Sequence, residues 1–153
     1  MVVIPPAVVE QLTGLPVPGR QEAALPFLTV DDEGFPHVCL LSRAEVEADA
    51  GEVRVVLASR RTRANLARDG RASLLVVEGT TAHSLKLVLV RSHAVEDRLA
   101  AAFSLADHSA DSLGIPLSPL AYLPTDDLSD LERWDLSARG LAELREGRAD
   151  DGG

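Results

Sequence analysis

The residues best suited to chemistry lie in one short run, Ser59-Arg60-Arg61-Thr62-Arg63, set between two apolar stretches and followed by Asp69-Gly70. Ser59 and Thr62 are both of the type that caps a helix N-terminus. Ala64, Leu66 and Ala67 suit two helical turns, which Gly70 can close in a left-handed conformation. Guanidinium groups at a helix N-terminus oppose the partial positive charge found there. A phosphate at that point resolves the conflict, because it collects backbone N–H groups, hydroxyls and guanidinium forks together. The competing reading is a solvated face whose arginines pair with carboxylates elsewhere on an acidic chain.

Other reactive residue types form no comparable pattern. His37, His83, His93 and His108 are far apart, with no histidine or carboxylate at helical spacing, so no metal centre is expected. Cys39 is the only cysteine, which excludes an internal disulfide and a multi-cysteine zinc site. Its neighbours Val38, Leu40 and Leu41 favour a raised thiol pKa and a packing role over a nucleophilic one. The chain has no Gly-x-Ser-x-Gly elbow, no Gly-x-x-x-x-Gly-Lys loop and no Gly-x-Gly-x-x-Gly after a strand. These absences argue against a serine hydrolase, a nucleotide triphosphatase and a dinucleotide-binding Rossmann domain.

Composition narrows the class further. A net charge of −9 repels nucleic-acid backbones and anionic lipid, although a local arginine cluster can still hold one small phosphate. Aromatics are only 3% of the residues, too few for a base-stacking platform, so Ala, Val and Leu must fill the interior. At 153 residues the chain is expected to form one domain with its own core. The opening MVVIPPAVVEQL lacks a basic n-region, and no segment reaches the ~20 apolar residues of a spanning helix. A cytoplasmic location follows as an expectation. All basic residues but Lys86 are arginine.

Strands must flank the arginine run. Val53, Val55, Val56 and Leu57 before it, and Leu74, Leu75, Val76 and Val77 after it, are rich in branched side chains that fit a pleated surface. Strands are expected at about 25–30, 37–42, 52–58, 73–78 and 84–94, with a sixth if the last is bent in two. Asp31-Asp32-Glu33-Gly34 has hairpin-turn chemistry, and 43–51 reads as a hairpin tip or one helical turn. Residues 5–13 suit a short helix and 15–20 a loop. EDRLAAAFSLAD, 96–107, reads as a helix from Leu99, Ala102 and Phe103. Thr125 is placed to cap a last helix through Leu128, Leu131, Trp134, Leu141 and Leu144, with a kink or split at Gly140, a buried Trp134 and a frayed tail.

The succession PFLTVDDEGFPHVCLLSRAEV, GEVRVVLASRRTRANLARDGRASLLVV and SLKLVLVRSHAVED resembles the FMN-binding split-barrel family related to pyridoxamine 5'-phosphate oxidase, over about residues 24–97. The resemblance implies a mainly β fold with flanking helices, a six-stranded antiparallel split β-barrel. It divides the chain into an N-terminal helix and loop at 1–20, a barrel core at 24–97 and C-terminal helices at 98–148. It implies that Leu57, Ala58, Ser59, Arg60, Thr62 and Arg63 bind the ribityl phosphate of FMN. It also implies that Cys39, Leu40, Leu41 and Ser42 contact the ring, with Lys86 as a polar contact. Many family members carry Lys where this chain has Ala64, and aromatics frequent near the cofactor are missing. A deazaflavin, or no cofactor, is therefore the alternative to FMN. The activity implied is an FMN-dependent oxidoreductase on a small molecule, with NAD(P)H as a candidate donor, in a homodimer with the cofactor at the interface. A non-catalytic flavin- or ligand-binding module and a dimerisation scaffold are the alternatives. No catalytic acid or base is identified.

Overall fold

A computed structural model describes residues 2–151. Helix α1 (Pro6–Gln11) precedes strands β1 (Glu22–Ala23), β2 (Leu25–Val30), β3 (Pro36–Leu41), β4 (Val46–Ala48) and β5 (Val53–Leu57). Helix α2 (Arg60–Asp69) leads into β6 (Arg71–Glu78), β7 (Thr81–Val95), β8 (Arg98–Ser112) and β9 (Ala121–Tyr122), and α3 (Leu128–Leu131) and α4 (Trp134–Asp151) follow. Seven strands form one antiparallel sheet in the order β3-β2-β6-β7-β8-β5-β4, and β1 pairs separately with β9. Seven strands replace the six expected.

The sheet curls into a half-barrel. Strands β2 and β8 are three places apart in the sheet, about 14 Å if it were flat at roughly 4.8 Å per strand. Yet Phe27 of β2 and Phe103 of β8 meet edge to face with centroids 5.8 Å apart. Side chains alternate accordingly: Phe27, Leu74, Val76, Leu85, Leu87 and Val55 point inward and are fully buried. Helix α1 adds Ile4 from its approach, with Val8 and Leu12, to the same core.

The largest departure from the sequence reading is at 96–107, expected as helix and found to lie mostly in β8 (Arg98–Ser112). Its alanine run favours helix by propensity, but β7 pairs along the whole of β8 and β5 pairs with Leu99–Phe103. Ala101 and Phe103 face the barrel while Ala100 and Ala102 face outward under α4, so both faces are buried and no helical stripe is needed. The barrel thus extends past residue 97 to Ser112, and the C-terminal helices begin at Leu128. Segment 43–51 holds β4 and a hairpin turn, with no helical turn.

The last helix splits at Arg133, which has φ 53°, and not at Gly140. Gly140 sits inside α4 because a Cβ there would lie 2.9 Å from Val56 Cγ2. Thr125 does not cap the helix; its hydroxyl donates to Asp127 Oδ1 at 2.6 Å. Trp134 is half-buried, its Nε1 donating to Glu132, and Leu131 is exposed. Helix α4 continues through most of the expected frayed tail to Asp151; residues 152–153 lie outside the described range. Its charged edge is clamped to the β4–β5 hairpin. Buried Arg54 bonds Glu47, Asp49 and Glu52, while Arg145 and Arg148 of α4 bond Glu47 and Asp49 at 2.6 Å. Among the described residues no helix is long and apolar enough to cross a membrane.

Candidate functional site

Helix α2 is built as its sequence dictates. Ser59 is the N-cap, its hydroxyl accepting from the Thr62 N–H at 3.2 Å, and Gly70 closes the helix in the left-handed region at φ 67°. The N–H groups of Arg60 and Arg61 have no partner within the helix. The helix is tied to the barrel by buried Asn65, whose amide donates to Thr29 Oγ1 of β2 at 2.9 Å, and by Arg68, which donates to the Val30 carbonyl.

Arg60 and Arg61 are exposed and Arg63 is half-buried. Among the described residues none of the three has a carboxylate partner, although Arg43, Arg54, Arg91, Arg145 and Arg148 are all ion-paired. Arg63 Nε is buried without a hydrogen-bond partner, and the wholly buried Thr62 hydroxyl lies against the Cys39 thiol. On a chain with surplus carboxylates, the α2 N-terminus therefore keeps unspent positive charge and donor capacity. Among the described residues, then, no ion pair occupies this arginine run.

The neighbouring wall comes from the end of β3. Alternation along β3 turns Cys39 and Leu41 inward and Leu40 outward, leaving Leu40 half-exposed. Leu41 and Leu57 are core side chains, so any contact they make with a ligand on the outside is through backbone. Cys39 lies beside Thr62; burial pushes its thiol up, only partly offset by the Thr62 hydroxyl, and the nearby Glu45 charge adds to the rise. Ala58 is exposed and Ser42 is buried in a turn.

Sequence reasoning missed Glu45. The Ser42 N–H donates to Glu45 Oε1 at 3.0 Å and the Glu45 N–H returns to the Ser42 carbonyl. The carboxyl is buried, which pushes its pKa up. Its signal was the Ser-x-x-Glu spacing, a reciprocal cap that here closes a turn and not a helix. Tyr122 of β9 also approaches, its buried hydroxyl pushed up by burial and moderated by Ser42.

Lys86 is not brought to this place. It lies on the outer face of β7, opposite Ser73 of β6, with β2 and then β3 beyond, about 14 Å across three strand spacings. With Arg71 it borders a concavity of about 520 Å³ whose other walls include Leu28, Val30, Pro36 and Val88. The histidines are also not all isolated: β7–β8 pairing brings His83 Nδ1 to 2.9 Å from His108 Nε2.

The fold is similar to that of HupZ of Group A Streptococcus (TM-score 0.55, 10% identity, 75% of this chain and 99% of that one), of the styrene monooxygenase flavin reductase of Pseudomonas putida S12 (0.51, 12%, 67% and 87%) and of flavoredoxin of Desulfovibrio vulgaris (0.50, 12%, 73% and 87%). At these identities the likeness is one of fold. The chain has the split-barrel architecture shared by FMN-binding proteins and flavin reductases. No family model matches the sequence, and no curated protein matches it.

Proposed function

We propose that this chain is an FMN-binding flavoprotein, an oxidoreductase that passes reducing equivalents from NAD(P)H to a small molecule. The observation that carries this reading is the guanidinium cluster at the α2 N-terminus, capped by Ser59 and without a carboxylate partner among the described residues. These residues fit a phosphate dianion: Arg60 and Arg63 supply charge, and the amides of Arg60 and Arg61 supply oriented donors. Leu40 and Ala58 offer exposed apolar surface next to that anchor. FMN, when bound, supplies the hydride chemistry, and the chain's part is to hold the phosphate, cover one ring face and leave the other open.

Lys86 enters this reading through a homodimer. The outer faces of β3 and β7 expose Val38, Leu40, Val88 and Val90, apolar side chains that a partner subunit would cover. A second copy packed there could complete the pocket with the partner's Lys86. The whole chain is read as one split-barrel unit, and a reducing cytoplasm suits both a nicotinamide donor and the lone Cys39 thiol. The family resemblance and the folds of flavin reductases support the reading.

The test is calorimetry with FMN and riboflavin on the parent and on Arg63→Ala. Charge-assisted hydrogen bonds contribute about 1.5 to 3 kcal/mol, so the variant should bind FMN about ten- to a hundredfold more weakly. Riboflavin, lacking the phosphate, should bind weakly to both proteins alike. Equal affinity of the parent for the two ligands refutes the phosphate anchor. Bound flavin that NAD(P)H cannot reduce would point to a non-catalytic flavin-holding module.

A further inference from the structure

The sheet opens where β2 leaves β6. The ladder between them pairs Phe27 with Leu74 and Leu28 with Ser73, and stops there. Thr29 and Val30 are held by α2 instead, through the bonds from Asn65 to Thr29 Oγ1 and from Arg68 to the Val30 carbonyl. The parting of the strands leaves the concavity of about 520 Å³ beside β6 and β7, a volume in the range of small-molecule sites. Strand β8 bulges at the same place: Lys86 pairs with Asp107 and Leu87 with Leu105, so Ala106 is the extra residue, and it lines the concavity. Bulges of this kind gather beside binding sites.

The lining is mostly apolar, with Leu28, Val30, Pro36 and Val88 among its walls, and it includes no carboxylate. Its only charged groups are Arg71 and Lys86. Arg71 stands opposite Val88 and Lys86 opposite Ser73, so the two cations are diagonal neighbours on the outer face of β6 and β7. Diagonal neighbours have Cα atoms about 7 to 8 Å apart, within reach of long side chains. Among the described residues neither cation is ion-paired, although most other arginines are; Asp107, across from Lys86 on β8, is exposed and forms no ion pair with it. Two like charges are thus held together at the border of an apolar hollow on a chain of net charge −9.

We propose that this concavity binds a small carboxylate with an apolar body. The carboxylate bridges Arg71 and Lys86, and the body lies against Leu28, Val30, Pro36 and Val88. A guanidinium presents a planar fork that matches both carboxylate oxygens, and the ammonium adds a compact second charge. A neutral polyol finds too few polar groups here, and a cation meets two charges of its own sign. The role of such a carboxylate as the substrate rests on the flavin reading, in which a second copy carries Lys86 to the flavin; the site itself does not.

The experiment is calorimetry of the full chain with octanoate, hexanoate and octan-1-ol, on the parent and on Arg71→Gln, Lys86→Gln and the double variant. The parent should bind octanoate about fifteenfold more tightly than hexanoate, because each buried methylene contributes a factor of about four. Each single substitution should weaken octanoate by about fivefold and the double variant by about twenty-five-fold, with octan-1-ol little affected. Both cations are exposed, so the variants should fold, which circular dichroism checks. Arg63→Ala should leave octanoate binding unchanged. Octanoate bound as expected by a chain that takes no FMN would sustain the site and refute the flavin reading. Absence of octanoate binding, hexanoate held as tightly as octanoate, a double variant that binds octanoate like the parent, or a loss caused by Arg63→Ala would overturn the proposal.

Discussion

Replacing Gly140 and Gly147 by alanine, one at a time, should move stability in opposite directions although both lie in α4. In a helix interior Ala is favoured over Gly by about 0.8 to 1.0 kcal/mol. At Gly140 the added Cβ would meet Val56 Cγ2 at 2.9 Å and both Ala100 Cβ and Val95 Cγ2 at 3.3 Å. All three neighbours are fully buried, and the Ala100 Cβ is fixed to the backbone and cannot rotate away. Overpacking of this kind costs about 1 to 3 kcal/mol, and with three immobile contacts the upper half of that range applies. The net effect is a loss of about 1 to 2 kcal/mol, or roughly 3 to 6 °C in Tm for a chain of this length. At Gly147 the nearest atom is Arg91 Nε at 3.6 Å, an ordinary contact, so only the helix preference remains. It should contribute about 0.5 kcal/mol near the helix end and raise Tm by about 1 to 2 °C. Thermal unfolding followed by circular dichroism, repeated in urea, measures both. A Gly140→Ala protein as stable as Gly147→Ala would refute the close seating of α4 on β5 and β8.

Three further outcomes follow from the polar contacts. At Asp49, burial opposes ionisation, but the Gly51 N–H and the Arg54 and Arg148 guanidiniums outweigh it and hold the pKa at about 2. Arg91 and Arg54 likewise lower Glu52 against its burial. Lowered carboxylates contribute stability above their ordinary pKa and lose it as pH falls, so Tm should drop between about pH 4 and pH 2 more steeply in the parent than in Asp49→Asn; parallel profiles would exclude the clamp. The buried Glu45 carboxyl is shifted upward, so its contribution is full below about pH 4 and is lost as pH rises through the folded value. Glu45→Gln, which keeps an acceptor for the Ser42 N–H, should therefore unfold at a higher temperature than the parent at pH 7 and at the same temperature in acid; a pH-independent difference would contradict this. Asn65→Ala strands the Thr29 hydroxyl beneath α2 and should cost about 1 to 3 kcal/mol in urea unfolding, whereas a neutral change would mean that α2 is not anchored through that bond.

Local chemistry was legible along the chain. Ser59 and Gly70 specify where α2 starts and stops, and the branched residues of β5 and β6 announce strands, because caps and β-branching act within a few residues of themselves. The arginine cluster could be named from its position alone. Its unpaired state could not, since that depends on where every carboxylate of the folded chain comes to rest. The same limit explains β8: residues 96–107 look helical by spacing and propensity, and only β7, β5 and α4 closing around Arg98–Ser112 make a strand the lower free energy. Gly140 reads as a flaw in a helix until Val56 is seen beneath it. Leu41 and Leu57 appear in the same motif as Leu40 and Ala58, yet the pleat and the curl of the sheet send the first pair into the core and leave the second pair outside. Lys86 stands apart from the cluster, and His83 meets His108, for one reason: strand order and register set distances between residues remote in sequence, and those are products of the whole fold.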